Sequence, residues 1–262
     1  MNKKHLLCCF VIALGFACKK QKEEITTIGQ GPANTLNSSI FHDLNGTHVT
    51  NYLYAATGQL ARSENKGLDG NLVGFNEYHY GSSGVLNGVT INSISGKAGE
   101  EIYTYQNGKL IKSLSQGYLD GVLRDLYEHT YEYTNNQLTR VNFAYKNNAP
   151  STFTNSYVVY QWNAGNIINK KTYDVSGTLK AETTYEYDNK PNPFFELSFY
   201  GIELEKYLSA NNVTKAVTTD FVHGVTGETT TNFTYNHINL PVKQFNAHGV
   251  GNKVHQFDYT YN

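Results

Sequence analysis

The sequence predicts an all-β fold, an antiparallel up-and-down meander of about 16–18 strands that curls into a barrel or trough. Three observations carry this prediction. An aromatic-x-aromatic unit recurs about every 26 residues, a short turn rich in Gly or Asn follows most units, and the 262-residue chain holds 21 Tyr and 23 Gly. Aromatic residues favour strands, whereas Gly and Asn favour the turns between strands.

The repeated unit has two aromatic residues, a turn and then, in most copies, Leu or Ile. Its copies are Tyr52-Leu53-Tyr54, Tyr78-His79-Tyr80, Tyr103-Thr104-Tyr105, Tyr131-Glu132-Tyr133, Tyr160-Gln161-Trp162, Tyr185-Glu186-Tyr187, Phe233-Thr234-Tyr235 and Tyr259-Thr260-Tyr261. The step from Tyr187 to Tyr235 is 48 residues, close to two periods, so one copy between them has diverged. A period of this length holds two strands and two short turns, so each period is one hairpin with its connection.

Two types of turn place an aromatic residue opposite an aliphatic one. Asn107-Gly108 is the strongest two-residue hairpin signal, because both residues tolerate the positive φ of a type I′ turn. Gly58, Gly84 and Gly177 lie where a three-residue loop needs a left-handed glycine. The predicted cross-strand pairs are Tyr54 with Leu60, Tyr80 with Leu86, Tyr105 with Leu110 and Tyr173 with Leu179. Such pairs on one face stabilise a sheet.

The predicted strand over residues 125–134 alternates between two faces. Tyr127, His129, Tyr131 and Tyr133 point one way, and the residues between them, mostly glutamates and threonines, point the other. One face is therefore buried and the other is wet. Because open sheets rarely exceed about ten strands without curling, we expect the sheet to curl with its tyrosine face inward.

Two regions depart from the repeat. Residues 18–45 lack regular alternation and are predicted to form a flexible tether, which makes residues 46–262 a single β-repeat domain. Residues 188–210 contain Pro191 and Pro193, and the apolar spacing over 201–208 predicts one or two helical turns. We expect this insertion to plug or cap one end of the curled sheet.

Residues 1–17 are predicted to be a lipoprotein signal peptide, with a basic start and an apolar run too short to span a membrane. The stretch from Gly15 to Cys18 resembles a bacterial lipobox, so we expect lipid attachment to the Cys18 thiol. An ordinary secretory cut, with Cys18 incidental, is the alternative. The other two of the three cysteines lie in the leader, so no internal disulfide can form. We expect a lipid-anchored protein of the outer membrane, with exposure at the cell surface left open.

The unit of Tyr-x-Tyr, turn and Gly-x-Leu is similar to the YD repeats of Rhs-type proteins, with the Asp present at Tyr173-Asp174 and Tyr187-Asp188. A looser likeness connects most of residues 50–262 with uncharacterised surface lipoproteins of the Bacteroidetes. The segments that carry this likeness are residues 185–194, 211–215 and 235–243. The resemblance implies a porin-like curved sheet of many strands and no established activity.

The candidate binding residues lie on the tyrosine face. Aromatic faces next to Asn side chains suit sugars, although the same rings also hold such a sheet together. The eight candidates are Tyr127, His129, Tyr131, Tyr133, Tyr160, Trp162, Tyr185 and Tyr187. The sequence has no His cluster with ligand spacing, no Gly-x-Ser-x-Gly elbow and no P-loop, so it predicts no catalytic residue, no metal and no cofactor.

Two functions fit these features. The first is a non-enzymatic envelope lipoprotein whose β-scaffold binds an extracellular polysaccharide or an envelope protein. The second is an outer-membrane β-barrel that passes or binds a small solute or glycan, although Glu, Lys and Asn on the outward faces count against it. A nucleic acid partner is not expected, because the formal net charge is −1 and no basic run follows the leader.

Overall fold

The computed structural model describes residues 28–29, 33, 35–43, 46–147, 153–195, 204–248 and 254–262. The strands are β1 Ile28–Gly29, β2 Leu36–Asp43, β3 Gly46–Ala55, β4 Leu60–Lys66, β5 Leu72–Tyr80, β6 Leu86–Ser93, β7 Gly96–Gln106, β8 Lys109–Leu119, β9 Val122–Thr134, β10 Gln137–Asn147, β11 Phe153–Asn163, β12 Asn166–Asp174, β13 Leu179–Pro191, β14 Asn211–Asp220, β15 Val225–Tyr235, β16 Pro241–His248 and β17 Val254–Tyr261. One helix, α1 Leu204–Leu208, lies between β13 and β14. Cys18 and the leader lie outside the described residues.

Each strand from β2 to β16 pairs antiparallel with the next, and β17 pairs with β2. Phe257 of β17 lies opposite Phe41 of β2 at this seam. The described strands β2–β17 therefore close into a barrel of sixteen, while β1 lies beside β3 next to the start of β2. The prediction of an all-β antiparallel meander is confirmed, and the sheet is a closed barrel and not a trough.

The predicted cross-strand pairs are all present, including Tyr54 opposite Leu60 and Tyr105 opposite Leu110. Asn107 and Gly108 have φ of 50° and 75°, as a type I′ turn requires. The pair of Tyr173 with Leu179 lies elsewhere than the other three pairs. It lies on the outer face, at the end of the barrel opposite to those pairs, so it does not belong to the repeated unit.

Residues 36–43 form strand β2, so the β-domain begins ten residues before the predicted boundary at residue 46. The predicted tether was wrong for this part of the chain. Leu36 pairs with Tyr261, whereas Ser38 pairs with Thr260, so Asn37 is an extra residue in the ladder. A bulge of this kind interrupts the two-residue alternation by which a strand is recognised.

The tyrosine face is the inner face of the barrel. Leu204 and Phe194, both from the connection between β13 and β14, pack against it from within. Leu204 joins the core around Ile167 of β12, and Phe194 joins Leu36 of β2 and Tyr259 of β17. Two distant arcs of the wall are thus bridged by one insertion. The predicted plug is this connection, and we call the end where it lies the plugged end and the opposite end the far end.

A repeated hydrogen bond ties neighbouring hairpins together at the plugged end. The second aromatic residue of a unit donates its side-chain hydrogen to the backbone carbonyl of a residue near the start of the preceding strand. The six such bonds in the described chain are Tyr54 to Leu36 (2.7 Å), Tyr80 to Leu60 (3.0 Å), Tyr133 to Leu110 (2.9 Å), Trp162 to Leu138 (2.6 Å), Tyr187 to Ile167 (2.6 Å) and Tyr261 to Pro241 (2.7 Å). We call them the inter-hairpin bonds. They provide the partner that a buried tyrosine hydroxyl or indole nitrogen requires.

The plug is fixed to the turn between β11 and β12. The hydroxyl of the fully buried Ser209 accepts the backbone N–H of Ile167 at 3.1 Å and lies 3.0 Å from the Tyr187 hydroxyl. The backbone N–H of Ala210 donates to the carbonyl of Gly165 at 3.2 Å. The plug is therefore attached to the wall by these hydrogen bonds as well as by the packing of Leu204.

Candidate functional site

The structure brings all eight candidate residues to the inner face. Four of them lie on β9, two on β11 and two on β13. Most of these side chains stabilise the barrel wall by hydrogen bonds and packing. Tyr133, Trp162 and Tyr187 make inter-hairpin bonds. Tyr160 and Tyr185 are buried and pack around Ile167, and the hydroxyl of the half-buried Tyr131 lies 2.9 Å from Ser113 Oγ.

Tyr127 and His129 lie farther toward the far end, where the lumen reaches solvent. The ring of Tyr127, which is 40% exposed, lies 4.6 Å from the ring of Tyr145. The ring of His129 meets the edge of Phe143 at 4.8 Å. The Tyr145 hydroxyl donates to Asp125 Oδ1 at 2.9 Å. We call these four rings the β9–β10 ring cluster.

A second set of four rings, which the sequence analysis did not identify, lies on the other side of the barrel. Phe41 packs on Phe257 at 4.7 Å, on His255 at 5.3 Å and on His48 at 6.2 Å. We call these rings the β17–β3 ring cluster. Seven steps around the ring of sixteen strands separate β2 from β9, so the two clusters face each other across the lumen.

The repeat itself could have identified the second cluster. Tyr127 lies six residues before Tyr133, and His48 lies six residues before Tyr54, so both occupy the same position of the unit. His255 occupies this position before Tyr261. Aligning all units, and not one strand alone, would have placed these rings at one level of the barrel.

Burial shifts the pKa of two ionisable groups on this inner face toward their neutral forms. Burial lowers the pKa of His129 below its usual 6.5, so the imidazole is neutral at pH 7. Burial raises the pKa of the Glu101 carboxyl, and a hydrogen bond from Ser115 opposes that shift. The aromatic wall therefore adds little positive charge to the lumen.

A cavity of about 230 Å³ lies in the lumen next to the plug. Asn192 and Phe194 of the plug form one side of it, and inward residues of β14–β17 form the other. It lies where the repeat has diverged, between Tyr187 and Tyr235 and in the hairpin that follows. The divergence of the repeat is visible in the sequence, but the residues that line the cavity come together only in the folded barrel.

The outer wall carries ion pairs that cross from strand to strand. Lys112 of β8 lies 2.5 Å from Glu128 of β9, and Lys215 of β14 lies 3.1 Å from Glu228 of β15. Further pairs are Arg62 with Glu77 (3.9 Å), Arg140 with Glu132 (3.8 Å), Lys171 with Glu182 (3.4 Å) and Lys243 with Asp258 (3.9 Å). They are spread around the whole circumference, so charged groups project outward on every side.

Two kinds of feature are absent from the described part of the chain. It contains no helix that is long and apolar enough to cross a membrane. It also brings no three His, Cys, Asp or Glu side chains together in a group that could hold a metal ion.

Comparison with known proteins gives a fold. No protein-family model matches the sequence, and no curated protein does. Among solved structures, the chain is similar to a porin-like protein from Bacteroides vulgatus ATCC 8482, with a TM-score of 0.60 and 12% identity over 87% of this chain and 99% of that chain. It is also similar to a porin-like protein from Bacteroides uniformis ATCC 8492, with a TM-score of 0.56 and 14% identity over 89% of this chain and 99% of that chain. The chain therefore has a porin-like β-barrel fold.

Proposed function

We propose that this protein is a non-enzymatic, lipid-anchored barrel of the outer membrane, whose wall stands in water and whose lumen binds a small solute or the end of a glycan. The observation that carries the proposal is the ring of ion pairs on the outer wall. A Lys or Arg on the lipid face of a barrel costs about 2–4 kcal/mol at the middle of the bilayer. In water the same groups cost nothing, because they stay hydrated.

Cys18 supplies the membrane attachment that such a wall lacks. The described chain reaches the plugged end near Thr35, whose carbonyl accepts the backbone N–H of Asn262 at 3.0 Å. Cys18 precedes Ile28 by ten positions in the sequence, and a fully extended chain of that length spans at most about 36 Å. On this proposal the plugged end faces the membrane and the far end of the lumen faces the solution.

A barrel that spans the outer membrane and passes a small solute is the second candidate. The closed ring of sixteen strands and the porin-like neighbours support it, and they fit it at least as well as the water-exposed barrel. The lumen is wide enough in principle, since barrels of 16–18 strands leave an aqueous channel. The ion pairs of the outer wall are the observation that opposes it.

Replacing the lipidated cysteine separates the two candidates. In Cys18→Ser we expect the protein to leave the membrane fraction and to stay folded without detergent, as measured by fractionation and circular dichroism. Cys9→Ser, which changes a cysteine of the leader, is the matched control and should leave anchoring unchanged. A Cys18→Ser protein that resists carbonate extraction and needs detergent to fold would identify a membrane-spanning barrel instead.

A further inference from the structure

We propose that the cavity beside the plug is a binding site for one neutral sugar ring. The inference rests on the proposed function, because it names the class of ligand that the lumen takes. The cavity, of about 230 Å³, is smaller than the roughly 300–1,000 Å³ of pockets for drug-sized ligands. Its size suits a single ring with its hydroxyl groups and not a longer oligosaccharide, which would extend from it into the lumen.

Aromatic rings line part of the cavity. The rings of Phe257 and Tyr259 are nearly parallel, 7° apart in orientation, with their centroids 6.3 Å apart. Phe194 of the plug meets Tyr259 edge to face, at 5.6 Å and 73°. The electron-rich face of an aromatic ring attracts the polarised C–H groups of a sugar, so these rings offer a platform for its apolar side.

Amide groups also line the cavity, next to these rings, and are held in position by their neighbours. Gln244 Nε2 donates to Asn246 Oδ1 at 2.8 Å, and Gln244 Oε1 accepts the Tyr259 hydroxyl. Asn192 Oδ1 accepts the backbone N–H of Phe194 at 3.0 Å. The Asn246 amide nitrogen has no acceptor among the described residues, so it remains available to a ligand hydroxyl. Oriented amides that both donate and accept match hydroxyl groups, which do the same.

The lining carries no charge at neutral pH. Tyr259 is its only ionisable side chain among the described residues, and burial raises the pKa of that phenol well above its usual value of 10.0. The carboxylate of Asp188 lies behind the lining, where it accepts the Asn212 amide at 3.2 Å and the Tyr235 hydroxyl. A charged ligand would lose its hydration in this cavity without gaining a counter-ion. A neutral ligand with several hydroxyl groups would exchange its hydration for hydrogen bonds to the amides.

Other hairpins also carry a polar residue at the inward position that Gln244 occupies on β16. Ser63 and Ser113 lie opposite the first aromatic residue of their units, as Gln244 does, and each contacts the tyrosine hydroxyl of the next unit. The Gln244 side chain is longer, so it accepts the Tyr259 hydroxyl with its oxygen and donates to Asn246 with its nitrogen. The cavity is therefore lined by amides where the other two hairpins have serine.

The test is binding of monosaccharides to the purified full chain, measured by saturation-transfer NMR and calorimetry. The probes are glucose, galactose, mannose, fucose and N-acetylglucosamine, with glucuronate as a charged comparison. We expect at least one neutral sugar to bind and glucuronate not to bind. In Asn246→Ala, and in the isosteric Thr231→Val, we expect the affinity for that sugar to fall about tenfold with the thermal unfolding temperature unchanged. Asn76→Ala, on the inner face of β5, is the matched control and should keep full affinity.

Three results would overturn the site. They are no binding of any neutral sugar, preferential binding of glucuronate, and binding that survives both variants. If binding survives them but is lost in Tyr127→Ala, the ligand occupies the β9–β10 ring cluster, and lumen binding stands while this cavity does not. The proposed membrane anchoring is tested by a different experiment, the fractionation of Cys18→Ser, so the two proposals can fail independently.

Discussion

The two ends of the barrel are made by the same strands but differ in how their large apolar residues are buried. The turns themselves are of similar kinds, since Asn107-Gly108 at the plugged end and Asp120-Gly121 at the far end both have two residues with positive φ. At the far end each of the described turns between β4 and β5, β6 and β7, β8 and β9, β12 and β13, and β14 and β15 carries a large apolar residue that faces solvent. These residues are Leu68, Ile94, Leu119, Val175 and Phe221.

This difference shows where the stability of the fold is located. At the plugged end, a turn has to place a tyrosine opposite an aliphatic residue and its hydroxyl on a neighbouring carbonyl, so few residues are acceptable. Ile167 is completely buried there, whereas Ile94 at the far end is 77% exposed. Apolar residues at the far end therefore contribute little to packing, although they are as large as those of the core.

The largest expected effect is that of alkaline pH on the plugged end. Burial raises the pKa of Tyr52, Tyr80, Tyr131 and Tyr133 to about 12. Because these values exceed the unfolded value of about 10, the neutral phenols stabilise the fold fully below pH about 10. That contribution is lost as the pH rises from about 10 to about 12. We expect tyrosinate absorbance and loss of the circular dichroism signal to appear together in this range.

The urea-unfolded protein is the control for this titration, and its tyrosines should ionise near pH 10. If the tyrosines of the folded protein ionised near the same value while its strands remained intact, the rings would not be buried as described.

Removing core volume at the plugged end should have the next largest effect. We expect Ile167→Ala to lower the free energy of unfolding by about 2–5 kcal/mol, because it leaves a cavity beneath Leu204 and Tyr160. The same substitution at the far end, Ile94→Ala, is the matched control and should change it by less than about 0.5 kcal/mol. Urea unfolding curves of both variants measure the difference. Equal losses would mean that the two ends are not distinct in stability.

Removing one inter-hairpin bond should have the smallest of the three effects. Tyr133→Phe keeps the ring and removes the hydroxyl that donates to Leu110, so we expect a loss of about 1–2 kcal/mol. Tyr127→Phe, on the same face of β9, removes a hydroxyl that makes no inter-hairpin bond and should cost less than about 0.5 kcal/mol. If both variants were equally stable by urea unfolding, the bond to Leu110 would contribute nothing measurable.

Local geometry explains what the sequence could predict. The pairs of Tyr54 with Leu60 and of Tyr80 with Leu86 follow from turn length and the position of one glycine, which neighbouring residues alone determine. The approximate strand number follows from the repeat in the same way. The charged outer face was also predictable, because the glutamates alternate with the tyrosines along β9.

Features that depend on distant residues could not be predicted. The carbonyl that accepts the Tyr133 hydroxyl belongs to another hairpin, and the sequence does not indicate which atom lies within reach. Strand β2 was missed because Asn37 interrupts its alternation. The cavity was missed because its aromatic and amide residues come from the plug and from strands that only the closed barrel brings together.

The seam between β2 and β17 also determines the order of assembly. Every other neighbour pair in the ring joins strands that are consecutive in the chain, whereas the seam brings Ser38 Oγ within 2.8 Å of Thr260 Oγ1 across 222 residues. Each hairpin can form as soon as its two strands have been synthesised, but the seam cannot form before β17 is complete. Until then β2 and the newest strand are unpaired edges, able to pair with other chains. Correct folding of this protein therefore depends on keeping two edges apart from other proteins until its final strand arrives.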